Sequence, residues 1–315
     1  MIKDLHLLLL DPARFLYEPD RPTSEDGKSV GLLFREHKLY GREREVTLIT
    51  DAFCRVSEGR SEAFFINGFS GCGKSRLVDS LSARIDMCEG YVITYKFDEV
   101  SNERSLLEII SVFNDLCFLI CKKSSPQSLL LTINNLVTEF GNDLSVLAHL
   151  LPNVKAFSPQ FYATQSNEMQ GNNDQVNLQS ICFTLQRFMR VVSSSKNPVM
   201  LFLDDLQWCD CQALKLIESI LCDPFGSSCL FFVGSYRSNE VHPSHEVFRL
   251  IRTLKEFDLP VTTLRLEGLD PEDINTLVSD ALCLFPRICE PLSNIVYQKT
   301  KGNVRLFFSQ VCPQS

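Results

Sequence analysis

The sequence lacks an apolar run that approaches the roughly 18 residues needed to cross a membrane. The apolar stretch Leu7–Leu10 is too short even for the core of a secretion signal, and it lacks a basic leader. These absences predict an intracellular, cytoplasmic protein without a membrane partner, and they leave a nuclear location open.

An excess of basic residues is also missing. The 315 residues include 31 Lys and Arg against 39 Asp and Glu, which gives a net charge of -8. This balance disfavours sequence-independent binding to nucleic acid or to an anionic membrane, because both attract basic surfaces. The hydrophobic fraction of 44% and the charged fraction of 22% are ordinary for a globular protein, so most of the chain is expected to fold.

The 13 cysteines lack the spacing of a metal site. Cys209 and Cys211 form the tightest pair, but neither a second pair nor a suitably spaced histidine accompanies them. Without a secretion signal, we interpret the cysteines as reduced and mostly buried small hydrophobic residues. Cys72 is interpreted as a neutral filler, with a redox-sensitive thiol as the alternative.

The residues Gly68–Ser75 match the phosphate-binding pattern G-x-x-x-x-G-K-[ST]. An apolar strand at 63–67 precedes the motif, and helical spacing of apolar residues follows it over 75–87. The motif is therefore expected to form a strand-to-helix turn, where backbone N–H groups and a helix N-terminus favour phosphate. Lys74 would reach the β- and γ-phosphates, and the Ser75 hydroxyl would ligate Mg²⁺. The predicted nucleotide ligands in this turn are Gly68, Ser70, Gly71, Cys72, Gly73, Lys74, Ser75 and Arg76.

Apolar strands alternate with helices along most of the chain, which predicts an α/β fold with a parallel sheet and helices on both faces. The expected class is a P-loop NTPase three-layer sandwich with five strands. These strands are predicted at 63–67, 91–97, 199–203, 229–233 and 263–267. Helices are predicted from residue 43 and at about 75–87, 102–122, 126–140, 142–151, 178–192, 211–222, 244–257, 271–284, 288–300 and 303–311.

The same pattern divides the chain into three parts. Residues 1–36, with prolines and mixed charges, are expected to be a mobile arm. Residues 37–268 form the predicted ATPase core, with a helical insertion at about 100–177 that closes with an Asn/Gln-rich flexible loop at 164–177. Residues 269–315 are predicted to be a small helical lid, and their abrupt end suggests a clipped last helix or a fragment of a longer chain.

An acidic pair, Asp204 and Asp205, follows the continuous apolar run 199–203, which is typical of a strand buried on both faces. ATP hydrolysis needs a carboxylate near Mg²⁺ and a group that orients the attacking water. We therefore assign Asp204 to the metal and Asp205 to the water, with a solvent-facing acidic turn as the alternative. Trp208 is interpreted as a packing residue behind the pair, with a base-stacking platform as the alternative.

Arg237 ends the next apolar strand. The carboxyl ends of parallel strands meet at the ligand-binding edge of a sheet, so this arginine is expected to contact the γ-phosphate. An ordinary surface arginine is the alternative. The predicted catalytic residues are accordingly Lys74, Asp205 and Arg237.

Together these motifs resemble the signature blocks of an AAA-type ATPase domain, as in the signal-transduction (STAND-like, origin-recognition-related) ATPases. The blocks occur in order at 39–45, 68–75, 201–210, 234–240 and 299–303, so the resemblance covers about 37–311. It implies ATP and Mg²⁺ as cofactors, with Walker A residues in the second block and Walker B acids in the third.

The resemblance also assigns residues outside the phosphate motif. It implies that Tyr40, Gly41 and Arg42 lie near the adenine and that the helical lid contacts the nucleotide. The chain has Val304 where the family usually has proline, and Arg305 is the candidate for a second sensor arginine on the lid.

The predicted function is an ATP-binding, slowly hydrolysing switch in a signalling protein, with effector domains, input domains or further copies of the chain as partners. An origin-recognition or helicase-loader ATPase associated with DNA is one alternative, and a scaffold that binds no nucleotide is another. A GTPase is disfavoured because no Asn-Lys-x-Asp block is present, and a small-molecule kinase would need an acceptor site that the sequence does not display.

Overall fold

The computed structural model describes residues 38–99, 104–157, 177–225 and 228–311. The predicted mobile arm at 1–36 lies outside them, and so does the predicted loop at 164–177 except for its last residue. The chain forms two compact units. We call residues 45–68 and 78–265 the sheet unit, and the described parts of 1–44, 69–77 and 266–315 the lid unit.

Five parallel strands form the centre of the sheet unit, in the order β2-β3-β4-β1-β5. The strands are β1 (Glu62–Gly68), β2 (Tyr91–Lys96), β3 (Val199–Asp204), β4 (Leu230–Arg237) and β5 (Val261–Arg265). β1, β3 and β4 are buried along almost their whole length, because their uninterrupted apolar residues suit strands covered on both faces. The predicted α/β P-loop NTPase fold is confirmed.

The edge strand β5 differs from its predicted position at 263–267. It pairs with β1 from Val261 to Arg265, so it begins and ends earlier than expected. β5 is half-exposed and has no apolar run that marks its ends. Hydrogen bonding to β1, which the sequence does not display, sets the boundaries of this strand.

Helices precede, connect and follow these strands. They are α1 (Glu43–Ser57), α2 (Lys74–Asp79), α3 (Ser82–Met87), α4 (Ser105–Lys123), α5 (Pro126–Phe140), α6 (Leu144–Leu150), α7 (Leu178–Val192), α8 (Cys211–Leu221) and α9 (Glu246–Glu256). On one face of the sheet, the Phe53 ring of α1 packs on Phe231 of β4 with 6.0 Å between ring centroids. On the other face, Leu185 of α7 and Leu214 of α8 share a core with Phe232. Both faces are covered, as predicted.

The continuous helix predicted over 75–87 is wrong, because the chain forms α2 and α3 with a break between them. At the break, the N–H of Leu81 donates to the Val78 carbonyl at 3.0 Å, three residues back instead of four. The Ser82 hydroxyl donates to the Asp79 carbonyl at 2.8 Å. A serine side chain that competes for a helix carbonyl favours such an interruption, whereas apolar spacing continues across it.

The predicted insertion helices are present as α4, α5 and α6. Two short 3₁₀ segments, Gly141–Asp143 and Pro152–Phe157, flank α6. Apolar residues of the insertion helices, including Leu136 of α5 and Leu147 of α6, are buried. They belong to the same hydrophobic core as the residues on one face of the sheet. The insertion is thus part of the sheet unit.

The lid unit contains the last three described helices, α10 (Pro271–Leu282), α11 (Pro286–Thr300) and α12 (Val304–Val311). Asp270 caps α10 by accepting the Asp273 N–H at 2.8 Å, and a proline occupies the first helical position. A small core centred on Ile274 and Phe307 joins α10 and α12. In the described part of the chain, none of the helices combines the length and apolar character needed to span a membrane.

Candidate nucleotide-binding site

The phosphate loop, residues 69–73, connects the end of β1 to the first residue of α2. Gly71 and Gly73 have φ angles of +82° and +96°. Residues with a side chain rarely adopt a positive φ, so glycine is the residue that forms this turn without strain. The predicted strand-to-helix turn is present, and two of its glycines have a positive φ.

Lys74 begins α2 and is only 7% exposed. Its ammonium group donates a hydrogen bond to the Phe69 carbonyl at 3.1 Å. The lysine side chain thus folds back onto the first residue of the loop. Ser75 and Arg76, the next predicted ligands, are exposed.

Three consecutive carbonyl groups of the loop accept hydrogen bonds from elsewhere in the lid unit. The Asn303 side-chain amide donates to the Ser70 carbonyl at 2.7 Å, and the Arg305 backbone N–H donates to the Gly71 carbonyl at 3.3 Å. The Arg42 guanidinium donates to the Cys72 carbonyl at 3.3 Å. The loop is therefore held at its carbonyl groups by residues distant in sequence.

Arg42 also donates to the Glu267 carbonyl at 2.5 Å and is only 7% exposed. Its guanidinium thereby connects the phosphate loop to the segment that precedes α10. Sequence reasoning expected this arginine near the adenine. The structure places its guanidinium on backbone carbonyls.

Tyr40 and Gly41 lie against α10. The Tyr40 hydroxyl donates to Asp280 at 2.8 Å, and the Lys38 ammonium forms an ion pair with the same carboxylate at 2.5 Å. Gly41 has a φ of +59°, and a Cβ at this position would lie 1.7 Å from Asp273 Oδ2. Close contact with α10 explains why glycine occupies this position.

Arg305, the candidate second sensor, is exposed, and its guanidinium lies 3.5 Å from the Ser70 hydroxyl. This places its side chain beside the phosphate loop within the lid unit. Two predicted ligands, Ser70 and Arg305, are therefore brought together.

Cys72 is buried, and burial raises the pKa of its thiol although the nearby charges of Lys74 and Arg42 act in the opposite direction. A raised pKa keeps the thiol protonated at neutral pH. Because the thiolate is the reactive form, this environment favours the interpretation of Cys72 as a neutral filler.

The acidic pair lies in the sheet unit, where β3 ends. Asp204 is buried, and its Oδ1 accepts a hydrogen bond from the Ser235 hydroxyl. The same hydroxyl accepts the Asp205 N–H at 3.3 Å, and Asp205 has a left-handed φ of 59°. Ser235, from the neighbouring strand β4, therefore orients both members of the pair.

Asp205 is bound at both carboxylate oxygens by Arg237. The Arg237 Nε lies 3.1 Å from Oδ1 and its Nη2 lies 3.2 Å from Oδ2. Gln207 donates to Oδ1 at 3.0 Å and also accepts the Arg237 N–H at 3.2 Å. Glu240 accepts from the other guanidinium nitrogen at 2.9 Å. The two predicted catalytic residues of the sheet unit are thus brought together as an ion pair.

Burial alone would raise the pKa of Asp205, but hydrogen bonds from Gln207 and Arg237, with the charges of Arg237 and Lys96, outweigh it and lower the pKa below its usual value. Asp205 is therefore ionised at neutral pH. The Lys96 ammonium lies 3.5 Å from Asp205 and 3.9 Å from Asp204, so a second cation accompanies the pair.

Sequence reasoning missed several of these contacts. Lys96 ends β2, and its register opposite Asp204 in the parallel sheet is a signal that could have been used. Gln207, Ser235, Glu240 and Asn303 all lie within or beside the motif blocks, but their partners are set by tertiary contacts. Trp208 is half-buried and packs against the main core, in agreement with its predicted packing role.

The predicted magnesium donors, the Ser75 hydroxyl and the Asp204 carboxylate, are oxygen groups of the kind that Mg²⁺ prefers. Among the described residues, no group of three or more His, Cys, Asp or Glu side chains could hold a metal by itself. Mg²⁺ usually takes only one or two carboxylates beside substrate phosphates, so a larger acidic cluster is not required. A Cβ built on Gly73 would have no other atom within 4 Å, apart from its chain neighbours. The space beside this part of the phosphate loop is therefore open.

A family model described as AAA ATPase domain matches residues 38–231. This match covers more than half of the 315 residues. The chain belongs to the AAA ATPase domain family. The predicted resemblance to AAA-type ATPase domains is confirmed, and nucleotide binding is the activity that this family implies.

Two curated proteins share part of this sequence. The hybrid signal transduction histidine kinase G of Dictyostelium discoideum is 28% identical over 188 residues, and histidine protein kinase 1 of Candida albicans is 22% identical over 233 residues. The matches cover 59% and 70% of this chain. They cover only 5% and 9% of the two relatives, so the chain spans a small part of their length.

Solved structures with some similarity include Cdc6p from Pyrobaculum aerophilum, with a TM-score of 0.49 and 11% identity over 93% of this chain and 64% of that one. Drosophila ORC bound to DNA has a TM-score of 0.42 and 11% identity over 98% of this chain and 66% of that one. Because both scores lie below 0.5, the fold assignment rests on the strand order and on the family match.

Proposed function

We propose that the chain is an ATP-binding regulatory switch that takes up Mg²⁺ with the nucleotide and hydrolyses ATP slowly. The observation that carries the proposal is the pairing of Asp205 with Arg237 in a chain that also has a complete phosphate motif. The carboxylate is ionised but already bound by a cation. Asp205 must orient the attacking water. Because the Asp205–Arg237 ion pair must open before it can do so, the pair slows hydrolysis.

The proposed roles follow from the chemistry of each side chain. Lys74 binds phosphate oxygens through its charge, and Ser75 and Asp204 are the proposed magnesium ligands. When bound, Mg²⁺ supplies positive charge that neutralises the phosphates. Asp205 orients the attacking water, and Arg237 contacts the γ-phosphate when it leaves Asp205.

The remaining nucleotide contacts stay proposals of the same kind. Backbone groups of the phosphate loop bind the phosphates, and Tyr40, Gly41 and Arg42 lie near the base. The proposed contacts are Gly68, Ser70, Gly71, Cys72, Gly73, Lys74, Ser75, Arg76, Tyr40, Gly41, Arg42 and Arg305.

A role in signalling is supported by the names of the two curated relatives, both of which are histidine kinases. The chain matches a small part of each relative. We therefore propose input or effector protein domains as partners, together with ATP and ADP.

Phosphate release from ATP tests the proposal. Asp205→Asn should bind Mg-ATP within about twofold of wild type and lose at least about tenfold in turnover, because an amide cannot act as a base. Asp115→Asn, an exposed carboxylate exchange on α4, is the matched control and should behave as wild type. Wild-type turnover in Asp205→Asn would contradict the proposal, and absent nucleotide binding in the wild type would favour the scaffold alternative.

The DNA-associated alternative rests on the Gly302-Asn-Val-Arg305 block, which resembles the second-sensor motif of such ATPases. Titration with duplex DNA at several salt concentrations tests it. Binding that weakens steeply as salt rises would support the alternative, because phosphate contacts release counterions. We expect none, given the net charge of -8.

A further inference from the structure

Asn303 lies immediately before α12, and both ends of its side-chain amide are used. The Oδ1 atom accepts the Leu306 N–H at 3.2 Å, which is the position of a helix N-cap contact. The Nδ2 group donates to the Ser70 carbonyl at 2.7 Å. If the amide were turned over, its oxygen would face the Ser70 carbonyl oxygen and its NH₂ group would face the Leu306 N–H. The two hydrogen bonds therefore require the same amide orientation.

The start of α12 is also in direct contact with the phosphate loop. The Arg305 N–H donates to the Gly71 carbonyl at 3.3 Å. A Cβ on Gly71 would lie 2.5 Å from the Arg305 Cβ and 2.6 Å from the Asn303 Oδ1. The absence of a side chain at Gly71 therefore permits this approach.

Asn303 is held in place from its other side. The preceding Gly302 has a φ of +77°, and a Cβ there would lie 2.0 Å from the Leu269 carbonyl oxygen. The Leu269 N–H donates to the Gly302 carbonyl at 2.9 Å. Gly302 is thus fixed to the segment that leads into α10. This contact restrains the backbone position of Asn303 within the lid unit.

A contact at a carbonyl has a consequence for the N–H group of the same peptide. The peptide unit is planar and trans, so the C=O of Ser70 and the N–H of Gly71 point in opposite directions. A hydrogen bond that fixes the Ser70 carbonyl toward Asn303 therefore turns the Gly71 N–H away from α12. Phosphate loops bind their ligand through backbone N–H groups, so the orientation of this peptide matters for binding.

We propose that Asn303 is a positioning residue that orients the Ser70–Gly71 peptide for phosphate and thereby links nucleotide affinity to helix α12. The proposal rests on the proposed nucleotide binding. Asn303 does not need to touch the nucleotide. Its effect reaches the ligand through one peptide of the loop, and displacement of α12 would release that peptide.

The exchange Asn303→Asp separates the two contacts. An aspartate keeps the acceptor that caps α12, but it presents a carboxylate oxygen, which cannot donate, to the Ser70 carbonyl. Asn177→Asp is the matched control, because Asn177 caps α7 by accepting the Gln179 N–H at 3.3 Å. Asn303→Ser is a milder second variant that keeps a capping oxygen but is too short to reach Ser70.

Two measurements decide the proposal. Hydrogen exchange of the peptide covering residues 68–75, in the full chain without nucleotide, should become faster in Asn303→Asp and stay unchanged in Asn177→Asp. Titration with fluorescent ATP and ADP analogues should show affinity about tenfold weaker in Asn303→Asp, and a smaller loss in Asn303→Ser. The thermal midpoint of the nucleotide-free chain should stay close to that of wild type, because the helix cap is retained.

Unchanged loop exchange in Asn303→Asp would overturn the proposal, whatever the affinities are. Faster loop exchange with affinity within twofold of wild type would also overturn it, because the loop would then move without consequence for the ligand. If the wild type binds neither nucleotide, the proposed function fails, and the exchange measurement still decides whether Asn303 holds the loop.

Discussion

Arg237 and Asp205 form a bidentate ion pair at the carboxyl end of the sheet, with distances of 3.1 and 3.2 Å. The pair spans the neighbouring strands β3 and β4, and Glu240 and Gln207 bind the same arginine from other directions. In this arrangement the proposed base and the proposed γ-phosphate sensor neutralise each other. In the proposed mechanism, hydrolysis begins with the opening of this pair.

The ion pair predicts a specific dependence of stability on pH. Asp205 has a lowered pKa in the folded chain, so its contribution is present above the ordinary aspartate pKa of about 3.9 and is lost as the pH falls through the lower folded-state value. Asp205→Asn should remove this step and reduce the free energy of unfolding at pH 7 by about 1–3 kcal/mol. Urea unfolding between about pH 2 and pH 7 measures this step. An identical acid step in wild type and variant would contradict the assignment.

Removal of the arginine should affect turnover more than binding. In Arg237→Ala we expect ATP hydrolysis to fall by about tenfold to a hundredfold, because the loss of the proposed donor to the transferred phosphate outweighs the release of Asp205 from the ion pair. ADP affinity should stay within about twofold, since ADP has no γ-phosphate. Arg249→Ala removes an arginine that is exposed on α9 and serves as the control. Equal losses of ADP affinity and of turnover would argue against a γ-phosphate contact.

The Tyr40-Gly-Arg42 block should tolerate no side chain at Gly41. Gly41→Ala would combine a positive φ with a Cβ 1.7 Å from Asp273 Oδ2, and we expect the free energy of unfolding to fall by about 2 kcal/mol or more. Gly59→Ala is the control, because Gly59 also has a positive φ but open space for 4 Å around the added Cβ. Denaturant unfolding compares the two. A smaller loss at Gly41 than at Gly59 would contradict the close contact with α10.

The thiol of Cys72 should be slow to react in the folded chain. Burial raises its pKa, so little thiolate is present near pH 8, whereas Cys88 and Cys211 are exposed. Labelling with a maleimide followed by peptide mass spectrometry should therefore detect Cys88 and Cys211 well before Cys72. Early labelling of Cys72 would instead support the alternative of a redox-sensitive loop.

Local sequence patterns predicted the fold because the central strands β1, β3 and β4 contain continuous apolar runs. Val199–Asp204 is buried at every residue, and such a strand is visible in sequence. The phosphate motif and the acidic pair are also local, so both patterns are visible in the sequence. The edge strand Val261–Arg265 was misplaced because partial exposure leaves it with a weak pattern.

Contacts between residues that are distant in the chain could not be predicted from the sequence. Nothing local to Asn303 indicates that its amide binds the Ser70 carbonyl, because that contact depends on how the lid helices pack. The family resemblance implied that Arg42 lies near the adenine, and it gave no sign that the guanidinium binds the carbonyls of Cys72 and Glu267. Side-chain partners of this kind follow from tertiary packing and cannot be read from periodicity.

Calorimetric titration of the full chain with Mg-ATP tests the central claim most directly, with Lys74→Ala as the variant. Lys215→Ala, an exposed lysine on α8, is the control. The account predicts saturable binding in wild type and in Lys215→Ala, and affinity at least about tenfold weaker in Lys74→Ala, because a charged donor to phosphate is lost. Equal affinity in Lys74→Ala and wild type, or no binding in either, would contradict it.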